Sequence, residues 1–211
     1  MAADLKALAE AVIKGNQSLA VQLTKDALAD KTPAKTILND GLIAGMGVLG
    51  GRFKRNEVYI PEVLIAARAM KSAMEVLSPE LVKAGVKPIA KFLLGTVQGD
   101  LHDIGKNLVG MMMKGAGFEV IDMGVDQSPE RFVEMAKQSN AELIGMSALL
   151  TTTMPAIEKS IKALKDAGVK AKIMIGGAPI TQAYSDKIGS DGYAPDAASA
   201  VDIGKKLLGI A

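Results

Sequence analysis

The chain has no cysteine, no tryptophan and a single histidine among its 211 residues. Without cysteine there is no disulfide, thiolate nucleophile, zinc knuckle or iron–sulfur ligation, so metal chemistry has to come through histidine, carboxylates or a prebound cofactor. Aromatic residues make up 3% of the chain, too few to build stacking platforms for bases or sugars. An excess of one charge is also missing. Twenty-five basic residues against 23 acidic ones leave +2, which points to neither nucleic acid nor an acidic membrane surface as a partner. Apolar runs are broken by Gly, Lys or Asp well before the length of a membrane span. The stretch MAADLKALAEAVIKGN carries early charges on an amphipathic pattern, so it reads as a first helix rather than a signal peptide, and a cytoplasmic location is expected.

What is present is 49% apolar residues, enough for a sizeable core, and 22 glycines, which suit tight turns and close approach of backbone to a ligand. Two grammars divide the chain. Residues 1–88 show helix period: two short patterns at 3–14 and 17–30, then a helix opened by Thr32 and Pro33 with apolar residues at Ile37, Leu38, Leu42, Ile43, Met46 and Leu49. A fourth helix opens at Pro61, with Val63, Ala66, Ala67, Met70, Ala73, Met74 and Leu77 on one face. The spacing predicts a four-helix bundle, followed by a linker over 81–88. Residues 89–211 alternate short apolar runs with helical patterns. Strands are expected at 91–97, 118–124, 142–149, 172–177 and 191–194, with helices beginning near Lys106, Pro129, Met154, Pro179 and Pro195. Such βα units predict an α/β domain, a flavodoxin-like doubly wound parallel five-stranded sheet whose ligands sit beyond the carboxyl ends of the strands.

The lone histidine lies on that rim, in QGDLHDIG after the first strand. A polar residue in such a loop is often merely exposed or a helix cap. Its neighbours argue for more. Asp100, two residues before His102, can put a carboxylate on one imidazole nitrogen while the other faces outward, as in carboxylate–histidine–metal arrangements. Gly105 lets the chain turn without a Cβ into the next helix. SALLTTT at the end of the third strand offers hydroxyls at Ser147, Thr151 and Thr153, and Gly176 with Gly177 ends the fourth strand and leaves a slot. Taken singly, these are also what helix caps and turns look like.

Asp100, His102 and Gly105, then Ser147 and Leu149, then Gly176 and Gly177 form the series D-x-H-x-x-G, S-x-L, G-G. In type, order and spacing this series resembles the signature of cobalamin-binding domains that hold the cofactor base-off, His-on. GGRFKRNEVYIPEVLIAARAMKSAM resembles the helical cap that precedes the corrinoid domain in cobalamin-dependent methionine synthase and in small corrinoid proteins of methyltransferase systems, so the likeness covers nearly the whole chain.

The resemblance implies a cofactor, cobalamin or a related corrinoid, with His102 as lower axial ligand to cobalt in place of dimethylbenzimidazole. Asp100 is then the partner of the other ring nitrogen, and Thr153 is the hydroxyl member of that relay, a place more often held by Ser. Asp103 and Ile104 fill the motif beside the ring. The displaced nucleotide tail is expected past Ser147, Leu149, Thr151, Gly176 and Gly177, with Tyr193 and Ala194 enclosing the base. Phe53 and Ile60 match cap residues over the methyl face, although apolar residues at helix ends are often plain core. Met111 to Met113 read as adaptable packing of a crossover helix.

The function so implied is a methyl carrier. One partner would be a substrate-specific methyltransferase, and another a methyltransferase passing the methyl group from the corrinoid to tetrahydrofolate or coenzyme M. A reductive activase is expected as a third. Neither catalytic domain fits into these residues, and the segment near 81–88 is the expected hinge of the cap. Methylamines, betaines, methanol and aryl methyl ethers all stay open as donors. A cobalamin-dependent sensor without methyl transfer is the alternative, although such proteins carry a DNA-binding module and a tryptophan over the ligand. The small domain of a mutase and a cofactor-free binding module are further readings.

Overall fold

The computed structural model describes residues 4–210, which fall into two compact units. One holds the chain up to Pro88 together with Gly115–Gly117; the other takes Ile89–Lys114 and the chain from Phe118 onward.

The helical unit begins with α1 (Leu5–Ile13) and α2 (Gln17–Ala29). Asp4 caps α1 by accepting the Ala7 N–H at 2.9 Å, and Asn16 caps α2 by accepting the Leu19 N–H at 3.1 Å. The third helical pattern is one uninterrupted helix. A short α3 (Ala34–Thr36) runs through a π-helical segment (Ile37–Ile43) into α4 (Ala44–Lys54). Pro33 itself holds the N-cap of α3 rather than the first helical position. Next comes α5 (Ile60–Lys83), where Glu62 accepts the Tyr59 N–H at 3.0 Å. Its buried face, Val63, Ala66, Ala69, Met70, Ala73, Leu77 and Leu81, keeps the expected period, and its small residues let α2 lie close against it. The helix carries on through Lys83, so 81–83 belong to its last turn and the connection to the next unit is correspondingly short.

The second unit is a parallel sheet of β1 (Lys91–Thr96), β2 (Glu119–Asp122), β3 (Leu143–Ser147), β4 (Lys172–Gly176) and β5 (Gly192–Ala194) in the order β2-β1-β3-β4-β5. The crossover helices are α6 (Ile104–Gly115), α7 (Pro129–Ser139), α8 (Met154–Asp166) and α9 (Gln182–Ile188), and α10 (Ala197–Leu207) follows the last strand. This is the expected flavodoxin-like architecture, with the strand order reversing between β1 and β3. The fourth crossover helix starts at Gln182 instead of Pro179, because Thr181 supplies the cap, its hydroxyl accepting the Tyr184 N–H at 3.2 Å.

Both faces of the sheet are covered, which is why its strands read as apolar runs. Leu93, Ile144, Met146, Ile173 and Ile175 pack against Phe132 of α7, Ile157, Ile161 and Leu164 of α8, and Ile188 of α9. On the opposite face lie Phe92, Leu94 and Leu143, approached by α6 at Gly110 and by α10 at Gly204. Met112 and Met113 are buried there, in the filler role expected of them. Gly145 makes room for the Phe92 ring: a Cβ on it would fall 2.4 Å from Phe92 Cζ and 3.0 Å from Leu94 Cδ1. Gly145→Ala is therefore expected to cost about 1–3 kcal/mol in urea denaturation, and Phe92→Leu in the same chain should recover most of that loss by clearing the ring end.

Candidate functional site

Registry aligns the carboxyl ends of four strands. Thr96 pairs with Ser147, Ser147 with Gly176, and Gly176 with Ala194, so these residues stand side by side along the rim. The loop after β1 leaves this row at the strand-order reversal. Gly99, with φ of +84°, turns the chain there. The Gly99 N–H donates to Asp126 Oδ1 at 2.7 Å, and the Asp126 N–H donates back to the Asp100 carbonyl at 3.0 Å. The buried Thr96 hydroxyl donates to the His102 carbonyl at 2.9 Å. The loop's shape is thus set by hydrogen bonds on both sides of the histidine.

Asp100 is the hub. Its side chain has 0% exposure. Oδ1 accepts the His102 N–H at 3.0 Å and faces His102 Nδ1 at 2.7 Å. Oδ2 accepts the Leu149 N–H at 2.7 Å and the Thr153 hydroxyl at 2.8 Å, with the Leu150 N–H at 3.4 Å. One carboxylate therefore orients the imidazole and fastens the β1–α6 loop to the β3–α8 loop. Burial alone would push this carboxyl up. The Leu149 and His102 N–H groups, the His102 ring and the Thr153 hydroxyl together outweigh it and hold the group well below the usual carboxylate range. An ionised Asp100 can only accept, so Nδ1 carries a proton, and Nε2 is the nitrogen that keeps the lone pair in the neutral ring. The ring is 50% exposed.

Gly177 closes the fourth strand's end. Its φ is +128°, and a Cβ there would fall 1.9 Å from the Ala148 carbonyl oxygen, so only glycine lets the β3 and β4 ends interlock. Gly105 is different. It lies in the first turn of α6 with no atom within 4 Å of where its Cβ would be. Neither packing nor turning explains that glycine within the chain; it leaves open surface three residues from the imidazole.

Among the described residues, no three His, Asp or Glu side chains come together to hold a bare ion. One imidazole is what the site offers, which suits a metal whose other positions are already filled by a macrocycle. The surroundings fit such a group. Among the described residues of this unit, every exposed large apolar side chain lies on the two loops joined by Asp100 or on the first residue of α6: Leu101 at 72%, Ile104 at 74%, and Leu149 and Leu150 at 42% each. They rim the histidine with apolar surface that water alone would not favour.

The B12 binding domain family matches residues 90–202, and a second B12 binding domain family matches residues 4–78. A dimethylamine corrinoid protein of Methanosarcina barkeri is 43% identical over 209 residues, 97% of each chain. The chain belongs to the corrinoid-protein family. A corrinoid protein of Desulfitobacterium hafniense is 39% identical over 210 residues, again 97% of both. A cobalamin-binding protein of known structure from Desulfitobacterium hafniense superposes with a TM-score of 0.81 at 31% identity, covering 97% of this chain and 98% of that one. The methanol:cobalamin methyltransferase complex of Methanosarcina barkeri gives 0.86 at 25% identity, covering 97% of this chain and 79% of the other. As a corrinoid protein, the chain binds a cobalamin-type cofactor.

Asp100, His102, Leu149 and Thr153 are brought together at bonding distance, with Asp103, Ile104 and Gly105 following directly in the same loop and first helical turn. Ser147, Gly176 and Ala194 share the rim row; Thr151 is exposed beside Thr153, and Tyr193 is half-buried in β5. Phe53, half-buried on the last turn of α4, and Ile60, the exposed first residue of α5, belong to the helical unit. Sequence reasoning missed Thr96 and Asp126. The signal for Thr96 was its place at the last position of β1, opposite Ser147; a loop aspartate such as Asp126 carries no comparable local signal.

The depressed Asp100 carboxyl stabilises the folded chain above the ordinary carboxylate pKa, and that contribution is lost as pH falls toward the folded-state value. Cofactor-free Asp100→Asn is expected to be less stable by about 1–3 kcal/mol at pH 7, with the gap narrowing below about pH 4. Urea denaturation across that range checks it; a gap of constant size down to acid pH would contradict the assignment.

Proposed function

We propose that this corrinoid protein carries a methyl group between two methyltransferases, with His102 Nε2 as the lower axial ligand of a base-off corrinoid. The observation that supports this reading most is the buried Asp100 carboxylate on His102 Nδ1, which presents the opposite nitrogen to the apolar rim. Cobalt in the bound corrinoid supplies the atom on which a methyl group can be exchanged. The chain's own contribution is placement and proton control. Asp100 fixes the tautomer, and Thr153 with the Leu149 N–H keeps Asp100 ionised.

Ser147, Thr151, Gly176, Gly177, Tyr193 and Ala194 are proposed to receive the displaced nucleotide tail along the rim. Phe53 and Ile60 of the helical unit are proposed to cover the methyl face, with the connection after α5 as hinge. The partners proposed are a substrate-specific methyltransferase, a second one acting on tetrahydrofolate or coenzyme M, and a reductive activase. The dimethylamine corrinoid protein among its relatives makes methylated amines the first donors to test.

A single histidine makes the ligand test clean. Loaded with cob(II)alamin, the protein is expected to show nitrogen superhyperfine triplets in its electron paramagnetic resonance spectrum. These should become doublets when histidine is labelled with nitrogen-15, and vanish in His102→Ala. No nitrogen splitting in the unsubstituted protein would remove His102 from the cobalt. Methyl transfer is tested separately, by offering the reduced protein each donor class with the methyltransferases encoded beside its gene and following corrinoid absorption. If every pairing fails, the sensor alternative gains.

A further inference from the structure

Lys106 is a buried cation in an unfavourable place. Its side chain is 2% exposed, and it sits in the first turn of α6, the positive end of the helix dipole. Burying an ammonium requires full compensation, and an apolar side chain of similar length would normally be no less stable. The compensation here is complete. The ammonium donates to both oxygens of Asp122 at 2.6 Å each and to Asn107 Oδ1 at 2.8 Å, using all three of its protons.

Two chains of hydrogen bonds run from this pair to the histidine. On one side, Asp122 Oδ1 accepts the Gly124 N–H at 2.9 Å, the Gly124 carbonyl accepts the Thr96 N–H at 3.0 Å, and the Thr96 hydroxyl holds the His102 carbonyl. On the other, the Asn107 amide donates to Asp103 Oδ2 at 2.9 Å and the Asn107 N–H to the Asp103 carbonyl at 2.7 Å, beside His102 in the chain. The histidine's own carbonyl and the residue that follows it thus both lead back to one ion pair.

We propose that Lys106, through its ion pair with Asp122, is a positioning residue for the His102 imidazole, holding the ligand's backbone from behind while Asp100 holds its ring. This rests on the reading of His102 as axial ligand. The pair keeps Nε2 in place whenever the bond to the metal is absent, so that ligation does not have to order the loop afresh.

The test is a cycle on cobalamin affinity, titrated by absorbance with hydroxocobalamin. Lys106→Met with Asp122→Asn removes the charge pair without leaving one partner stranded. In the chain that keeps His102, affinity is expected to fall about tenfold. In the His102→Ala chain, the same two substitutions should change it by less than about twofold, because the support then has nothing to position. Equal losses in both backgrounds, or no loss in either, would overturn the assignment and leave the pair a general support of the fold. Urea denaturation of the cofactor-free variants reports folding. If the double variant does not fold, Asn107→Ala, which cuts the link to Asp103 and spares the ion pair, decides by the same criterion with a smaller loss expected. His102→Ala that binds cobalamin unchanged, with an unchanged cobalt(II) spectrum, sinks the axial-ligand reading itself, and this inference with it.

Discussion

A carboxylate without solvent exposure is expensive unless every lone pair is met, and Asp100 meets them with backbone N–H groups, a hydroxyl and an imidazole. Ionisation is what gives the arrangement its direction. A neutral acid could donate to the ring and turn the proton toward Nε2. The anion can only accept, so Nδ1 is the nitrogen that bears a proton toward it. The same group joins the loops on either side of the strand-order reversal. Orientation of the ring and closure of the crevice are therefore one interaction.

The sheet makes that interaction possible. Parallel pairing brings Thr96, Ser147, Gly176 and Ala194 into one row, and reversal of strand order lets the loops after β1 and β3 face each other across a gap. The interlock at Gly177 keeps the ends of β3 and β4 close enough for the β3–α8 loop to present Leu149 and Thr153 to Asp100. Buried apolar strands fix the row from below; the polar loops above it inherit their positions.

Much of this was legible in the sequence. Strands covered on both faces have to be apolar runs, and helices of the bundle have to repeat their small and apolar residues at helical spacing, so element types and the doubly wound sheet followed from periodicity and alternation, while the strand order came from the structure. Aspartate two residues before a lone histidine was readable as a local pairing. Residues tied to Asp100 or His102 only through tertiary contacts were not. Thr153 was visible as a rim hydroxyl, but its role as a partner of Asp100 was reached by resemblance alone, since a hydroxyl at a helix start is otherwise just a cap. Thr96 was marked only by its place at the end of β1; Asp126 and the burial of Lys106 have no local pattern, because a lysine in a helix's first turn looks solvated until the strand bearing Asp122 is placed beside it. Gly105 was legible as a glycine but for the wrong reason: the turn does not need it, and the space beside it is open. The extra turn of α5 and the later start of α9 are boundary shifts decided by caps and by helix continuation.

In the role proposed for His102, a ligand that leaves a metal and returns to it cannot rely on the metal for its position. Ring exposure of 50% gives Nε2 access to a partner, yet the same exposure gives the side chain few packing contacts to fix it. Precision then has to come from hydrogen bonds at the ring's inner edge and along its backbone, which is where Asp100, Thr96 and the bonds that end on Lys106 and Asp122 are found. Asp100 and Lys106 are buried, whereas Leu101, Ile104, Leu149 and Leu150 are exposed. In the proposed reading a bound macrocycle would meet those four side chains. The proposed role then asks for an exchangeable bond made by a non-exchangeable placement.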